Sequence, residues 1–108
     1  MATTRKRPTF PRPSDEVRRL AALLADEMLR WPGVRLGSMF GMISVYRGKT
    51  IFAFLPEKRS LFAANAISIK HNNLQGRPGE KWTSFELEDE SSLRDALREL
   101  DSAYRVAR

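Results

Sequence analysis

The residues with the most obvious chemical potential in this chain are a single histidine, an acidic run and three groups of cations. His71 precedes Asn72 and Asn73, so an imidazole stands beside two amides. A general base of that kind also needs a nucleophile and an orienting carboxylate, and the sequence supplies neither at recognisable spacing. Glu86, Glu88, Asp89 and Glu90 offer oxygen ligands for a hard cation. They lack the Asp-x-Asp-x-Asp-Gly pattern of a calcium loop, and negative charge just ahead of a helix is accounted for by the helix dipole. There is no Cys, which excludes disulfides, thiolate nucleophiles, iron–sulfur clusters and thiolate zinc sites. Gly41 and Gly48 do not form a phosphate loop, because neither leads from a strand into a helix N-terminus. No catalytic residue, cofactor or metal site is expected, and the chain reads as a non-enzyme.

The cations are more informative. The formal net charge is +6, and residues 1–14 hold Arg5, Lys6, Arg7 and Arg12 with no acid. Pro8, Pro11 and Pro13 in the same stretch disfavour helix, and one Phe cannot offset the entropy of ordering it. Residues 1–13 are therefore expected to be a disordered basic arm, able to neutralise phosphates or simply to solubilise the chain. Arg47 and Lys49 stand at a turn, and Lys58 and Arg59 follow the next strand. If those pairs gather with the arm at one end of a sheet, they form a basic patch, and an exposed Tyr46 or Phe62 would offer a ring for base stacking.

The elements that must position these residues follow from periodicity. With 108 residues and 12.4 kDa the chain is one domain's worth, expected over 14–108. Val17, Leu20, Ala21, Leu24, Met28 and Trp31 make one helical stripe, with Ser14 as N-cap, Asp15 and Glu16 in the first turn, and Trp31-Pro32-Gly33 as the stop. Val34–Leu36, Met39–Tyr46 and Thr50–Leu55 read as strands, the last two joined by a hairpin at Arg47-Gly48-Lys49. Gly41 inside its run points to a bulge or a close backbone approach. Leu61-Phe62-Ala63 and residues 66–70 suggest a further strand broken at Asn65, 71–80 a polar loop, and Trp82–Glu88 a strand with one wet face. Leu93, Ala96, Leu97, Leu100, Ala103 and Tyr104 form a second helical stripe, capped at Ser91. The fold class is α+β: an antiparallel sheet of four to six strands flanked by helices 14–31 and 91–106. Phe40, Ile43, Val45, Ile51, Phe52, Phe54 and Phe85 are expected to supply much of the core, and Met28, Met39 and Met42 to fill gaps in it.

Residues 38–53, Ser-Met-Phe-Gly-Met-Ile-Ser-Val-Tyr-Arg-Gly-Lys-Thr-Ile-Phe-Ala, resemble the signature of TfoX/Sxy N-terminal-domain proteins. In those proteins a Met-Phe-Gly run precedes a strand, a Gly-Lys hairpin and a Phe-Ala strand. The order of elements over residues 15–106 is similar too, down to a closing Ala103-Tyr104 pair. Met42 departs from the pattern, which has a second Gly there, and no counterpart of the regulators' helical C-terminal domain falls within these residues. The resemblance implies a sandwich like that of the secretion chaperones and a regulatory or protein-interaction role, and it brings no catalytic residues with it. A second resemblance, to the YjbR-like group with its helix-then-meander order, implies DNA binding.

The basic segment lacks the apolar core of a secretory signal, and no apolar run is long enough to span a bilayer, so a cytoplasmic protein without membrane contact is expected. Strands that are apolar on both sides need more cover than two helices give. A homodimer or another protein partner is the expected occupant of the remainder, with nucleic acid as the alternative.

Overall fold

The computed structural model describes residues 10–73 and 75–107. Helix α1 runs over Asp15–Met28. Ser14 is extended ahead of it, and its Oγ accepts the Val17 N–H at 3.2 Å, satisfying one of the helix's free donors. Val17, Leu20, Ala21, Leu24, Ala25 and Met28 form its buried stripe. The helix ends at Leu29, whose N–H bonds Ala25, and Trp31–Gly33 turn the chain into the sheet.

Five strands follow: β1 (Val34–Met39), β2 (Met42–Arg47), β3 (Thr50–Pro56), β4 (Ala66–Lys70) and β5 (Trp82–Glu86). Each pairs antiparallel with the next in the order β1-β2-β3-β4-β5, a meander that needs only short connections. Helix α2 (Ser92–Val106) closes the fold. Ser91 stands at its N-cap without a side-chain cap bond; the Ser92 hydroxyl instead accepts the Glu88 and Asp89 N–H groups. The fold class read from the sequence is the one observed. No helix among the described residues is long and apolar enough to cross a membrane.

Both helices lie on the same face of the sheet, α1 against β3 and α2 against β3 and β4. The alternation of the strands sends Val45, Ala53, Leu55, Ile67 and Ile69 to that face, where they join the helix stripes in one core. Phe52 breaks the alternation. Val45 pairs with Ala53 but Tyr46 with Ile51, so Phe52 is an extra residue in β3, and the bulge turns both Phe52 and Ala53 into the core. The Phe52 ring meets Tyr104 edge-on at 5.8 Å, and Tyr104 also packs on Trp31 at 5.1 Å and donates its hydroxyl to the Pro32 carbonyl at 2.6 Å.

Several expectations are corrected. Residues 61–63, expected as the first half of a strand broken at Asn65, are bends, and β4 begins only at Ala66. Met39–Tyr46 is not one strand with a bulge at Gly41. Phe40 and Gly41 are the two central residues of a hairpin turn between β1 and β2, at φ 57° and 78°. Positive φ at both positions is the pattern of a type I′ turn, which a β1–β2 pair with right-handed twist requires. As a result Phe40 is not a core residue: its ring is 63% exposed at the turn tip, and Met39 beside it is exposed as well. The stretch expected as a disordered arm, residues 1–13, also reaches too far along the chain, since residues 10–13 are placed against the fold. Phe10–Pro13 run along the loop after β3, where the Pro11 carbonyl accepts the Ser60 N–H at 2.8 Å and the Phe10 carbonyl accepts Arg59 Nη1 at 3.2 Å. Arg5, Lys6 and Arg7 lie outside the described residues.

Neither α1 nor α2 covers the sheet's other face. Its middle row crosses all five strands as Gly37, Ser44, Phe54, Ser68 and Ser84. Gly37 is needed there, because a Cβ would stand 2.8 Å from the Ser44 hydroxyl. Ser44 is fully buried, and its hydroxyl has no hydrogen-bond partner among the described residues. An unsatisfied buried hydroxyl is worth less than no hydroxyl. Ser44→Ala is therefore expected to raise stability by about 1 kcal/mol, visible as a higher urea midpoint; a loss of stability would show that the hydroxyl has a partner after all.

Candidate nucleic-acid interface

The hairpin separates the cations expected to gather. Lys49 sits at the β2–β3 turn, exposed, whereas Lys58 and Arg59 follow the far end of β3, whose seven residues span about 20 Å. Lys58 and Arg59 instead meet Arg12 and Arg18 around a cleft of about 390 Å³. Arg47 is already engaged. Its guanidinium lies 4.3 Å from the centre of the Tyr104 ring and donates to the Tyr104 carbonyl at 2.9 Å, bracing the last turn of α2 where the dipole favours a cation. The expected single patch is thus three separate features.

A different set of cations converges on the helix-free face, at the Lys49 end of the sheet. Register places Arg35, Tyr46 and Ile51 abreast on β1, β2 and β3, and Lys70 and Trp82 abreast on β4 and β5. Arg35 lies 4.5 Å from the Tyr46 ring centre, and Lys70 lies 6.0 Å from that of Trp82. Trp82 in turn stacks on Phe54, centroids 5.4 Å apart and planes 22° from parallel. The half-buried Tyr46 and Trp82 rings therefore stand three strands apart, about 14 Å, on a firm bed. Lys49 at the adjoining turn and Lys81 just ahead of β5 add charge at the same end.

Arg18 and Arg19 on α1, Arg30 just after it, and Arg98 and Arg105 on α2 each face a carboxylate. Arg35, Lys49, Lys70 and Lys81 take part in no ion pair among the described residues, a property they share with Arg94 of α2 and with Arg12, Lys58 and Arg59 of the cleft. The nearest carboxylate along the chain, Glu80, accepts the Arg77 N–H at 3.2 Å. A row of rings flanked by unneutralised cations is a surface that stacks flat aromatic groups and attracts anions together.

The remaining sequence candidates have structural partners. His71 bonds Thr83 Oγ1 at 2.9 Å through its ring, and its N–H bonds the Lys81 carbonyl, so it ties the end of β4 to β5. Asn72 donates to the Ile51 carbonyl at 3.1 Å. In the acidic run, Asp89 accepts the Ser91 hydroxyl and N–H, and these bonds hold its carboxyl below its ordinary value. Glu90 pairs with Arg19, which also takes Glu16 at 2.8 Å and lowers its pKa through that bond. No group of three metal-ligating side chains converges among the described residues.

A scan of family models, a search of curated proteins and a search of solved structures match nothing to this chain. Arg35, Lys70, Lys81 and Trp82 carry no motif in the sequence, being scattered over 48 positions (35 to 82) and brought together only by strand order and register. The one available signal is their place at strand ends: β1 begins beside Arg35, β4 ends on Lys70 and β5 begins on Trp82.

Proposed function

We propose that this protein binds single-stranded nucleic acid on the helix-free face of its sheet and does no chemistry on it. The carrying observation is the row of Tyr46 and Trp82 with Arg35 and Lys70 beside them, neither cation in an ion pair among the described residues. Bases stack on the two rings, phosphates meet Arg35, Lys49, Lys70 and Lys81, and sequence preference is weak because stacking tolerates every base. The net charge of +6 supports the partner's sign. A shallow five-stranded face admits a splayed strand more readily than a duplex, whose bases are hidden in its grooves.

The likeness of residues 38–53 to TfoX/Sxy N-terminal-domain proteins belongs to the same proposal. Those residues build the Phe40–Gly41 turn and the hairpin that carries Tyr46, and a cytoplasmic regulator acting at nucleic acid would use such a surface. The reading as a protein-interaction domain draws on the opposite end of the sheet, where Phe40 stands exposed.

The test is fluorescence anisotropy with a labelled oligothymidine of about 12 nucleotides, within the usual site size of a stacking platform. Four phosphate contacts predict that log K falls against log salt with a slope of about −3. A duplex of the same length is expected to bind more weakly. Absence of binding at low salt, or tighter binding of the duplex, would overturn the proposal.

A further inference from the structure

Cations gather in a concave site at the far end of β3 from Lys49, where nucleic-acid binding on the sheet makes no use of them. Arg12, Arg18, Lys58 and Arg59 line one cleft of about 390 Å³, and Asp15 and Glu57 are the carboxylates among its described lining residues. Arg18 faces Asp15 at 3.7 Å with both side chains open to water, so that pair is weak. Arg12, Lys58 and Arg59 take part in no ion pair among the described residues. The lining thus sets four cations against two carboxylates, an excess of two positive charges.

The frame around these cations is braced by bonds that do not depend on their charge. The Gly41 carbonyl accepts the N–H groups of Lys58 and Arg59, both at 2.9 Å, and the Pro11 carbonyl accepts that of Ser60 at 2.8 Å. Asn65 Oδ1 accepts the Ser14 N–H at 3.0 Å. The β1–β2 turn, the loop after β3 and the approach to α1 are therefore tied to one another. Gly41 also leaves room for a cation, because at its φ of 78° a Cβ would stand 3.0 Å from Arg59 Cγ. Arg59 lies half-buried beside the turn, and its Nη1 donates to the Phe10 carbonyl at 3.2 Å, which holds the guanidinium in place. A half-buried guanidinium with no carboxylate, beside two more cations in the same state, makes a positive field in a concave site, and such fields concentrate anions.

We infer that this cleft binds a small phosphate monoester. A monoester carries close to two negative charges at neutral pH and three acceptor oxygens, which matches the excess of two charges in the lining. Arg12 and Arg59 offer forked N–H donors suited to phosphate oxygens, and Lys58 offers a point charge. A phosphodiester or a carboxylate brings a single charge and meets half of that excess. A phosphate group displaces only a few waters of about 30 Å³ each, so the cleft has room for the organic part of the ester as well. The site lies away from Tyr46 and Trp82 and does not rest on nucleic-acid binding there.

The probe is glycerol 3-phosphate, titrated at constant ionic strength and neutral pH into the isotope-labelled protein and followed by amide and arginine side-chain NMR shifts. Saturable shifts at Arg12, Lys58 and Arg59 are expected, with the Trp82 indole unmoved. Dimethyl phosphate, a diester, is expected to bind roughly tenfold more weakly or worse. Lys58→Gln, at an exposed position that leaves the fold intact, and Arg59→Gln are each expected to weaken binding roughly tenfold. Lowering the pH to about 5 protonates the monoester, whose second pKa is about 6, and is expected to weaken binding about tenfold. Shifts that grow without saturating, equal affinity for the diester, unchanged affinity in Lys58→Gln, or saturation at Trp82 in place of the cleft would each overturn the inference.

Discussion

Phe52→Ala is expected to cost about 3–5 kcal/mol, the range for deleting a sealed core aromatic and a large part of a small domain's total stability. Phe52 is fully buried at the bulge of β3, where it faces Tyr104 and through it the packing of α2 against Trp31. The strand cannot slide to fill the gap, because its register is pinned on both sides by β2 and β4. Urea denaturation would show the midpoint falling sharply with an unchanged m-value. A loss below about 1 kcal/mol would mean that the bulge does not commit this ring to the core. Phe54→Ala is expected to be milder, since Phe54 lies on the helix-free face against a single aromatic neighbour, Trp82.

The double substitution Tyr46→Ala, Trp82→Ala is expected to weaken oligothymidine binding by about 10²–10³-fold, taking about 1–3 kcal/mol for each stacked base. Both rings lie outside the helix-side core cluster, so the folded state survives their loss, with some stability given up where Trp82 leaves Phe54. The salt slope is expected to stay near its original value, because phosphate contacts are untouched. Lys70→Ala should behave in the opposite way, with a smaller affinity loss and a slope shallower by about 0.7. If the double variant lost affinity only through a lower slope, the rings would be bystanders and the cations the whole interface.

Much of the fold is legible in the sequence because it rests on periodicity. The Val17–Met28 stripe, the Ser14 cap and the alternation of β5 need only local rules, and α1, α2 and the Gly48–Lys49 hairpin follow from them. Phe40 was misplaced because an aromatic between Met39 and Gly41 reads as strand, whereas the turn there depends on a positive φ that Phe rarely adopts. The bulge at Phe52 has no local signature, since Ile51 to Leu55 are all apolar and any register of that run looks alike. For the site, Arg12, Lys58 and Arg59 meet Arg18 on a cleft that excludes Arg47 and Lys49. Arg47 ends β2 just ahead of the turn, and its guanidinium serves α2. The Arg35–Tyr46 and Lys70–Trp82 pairs are invisible until strand order and register are known, because each joins residues that are 11 or 12 positions apart (35 to 46, 70 to 82) with no motif between them.

Amide and indole shifts of the isotope-labelled protein, followed by NMR during titration with the same oligothymidine, locate the strand directly. Binding on the helix-free face moves the Trp82 indole N–H together with the amides of Arg35, Tyr46, Lys70 and Lys81, in fast exchange that high salt reverses. The indole of Trp31, packed on Tyr104 behind the sheet, stays in place and serves as the internal reference. Shifts confined to Arg12, Lys58 and Arg59, with the Trp82 indole unmoved, would put the nucleic acid on the cleft instead and contradict the assignment of the interface to the sheet.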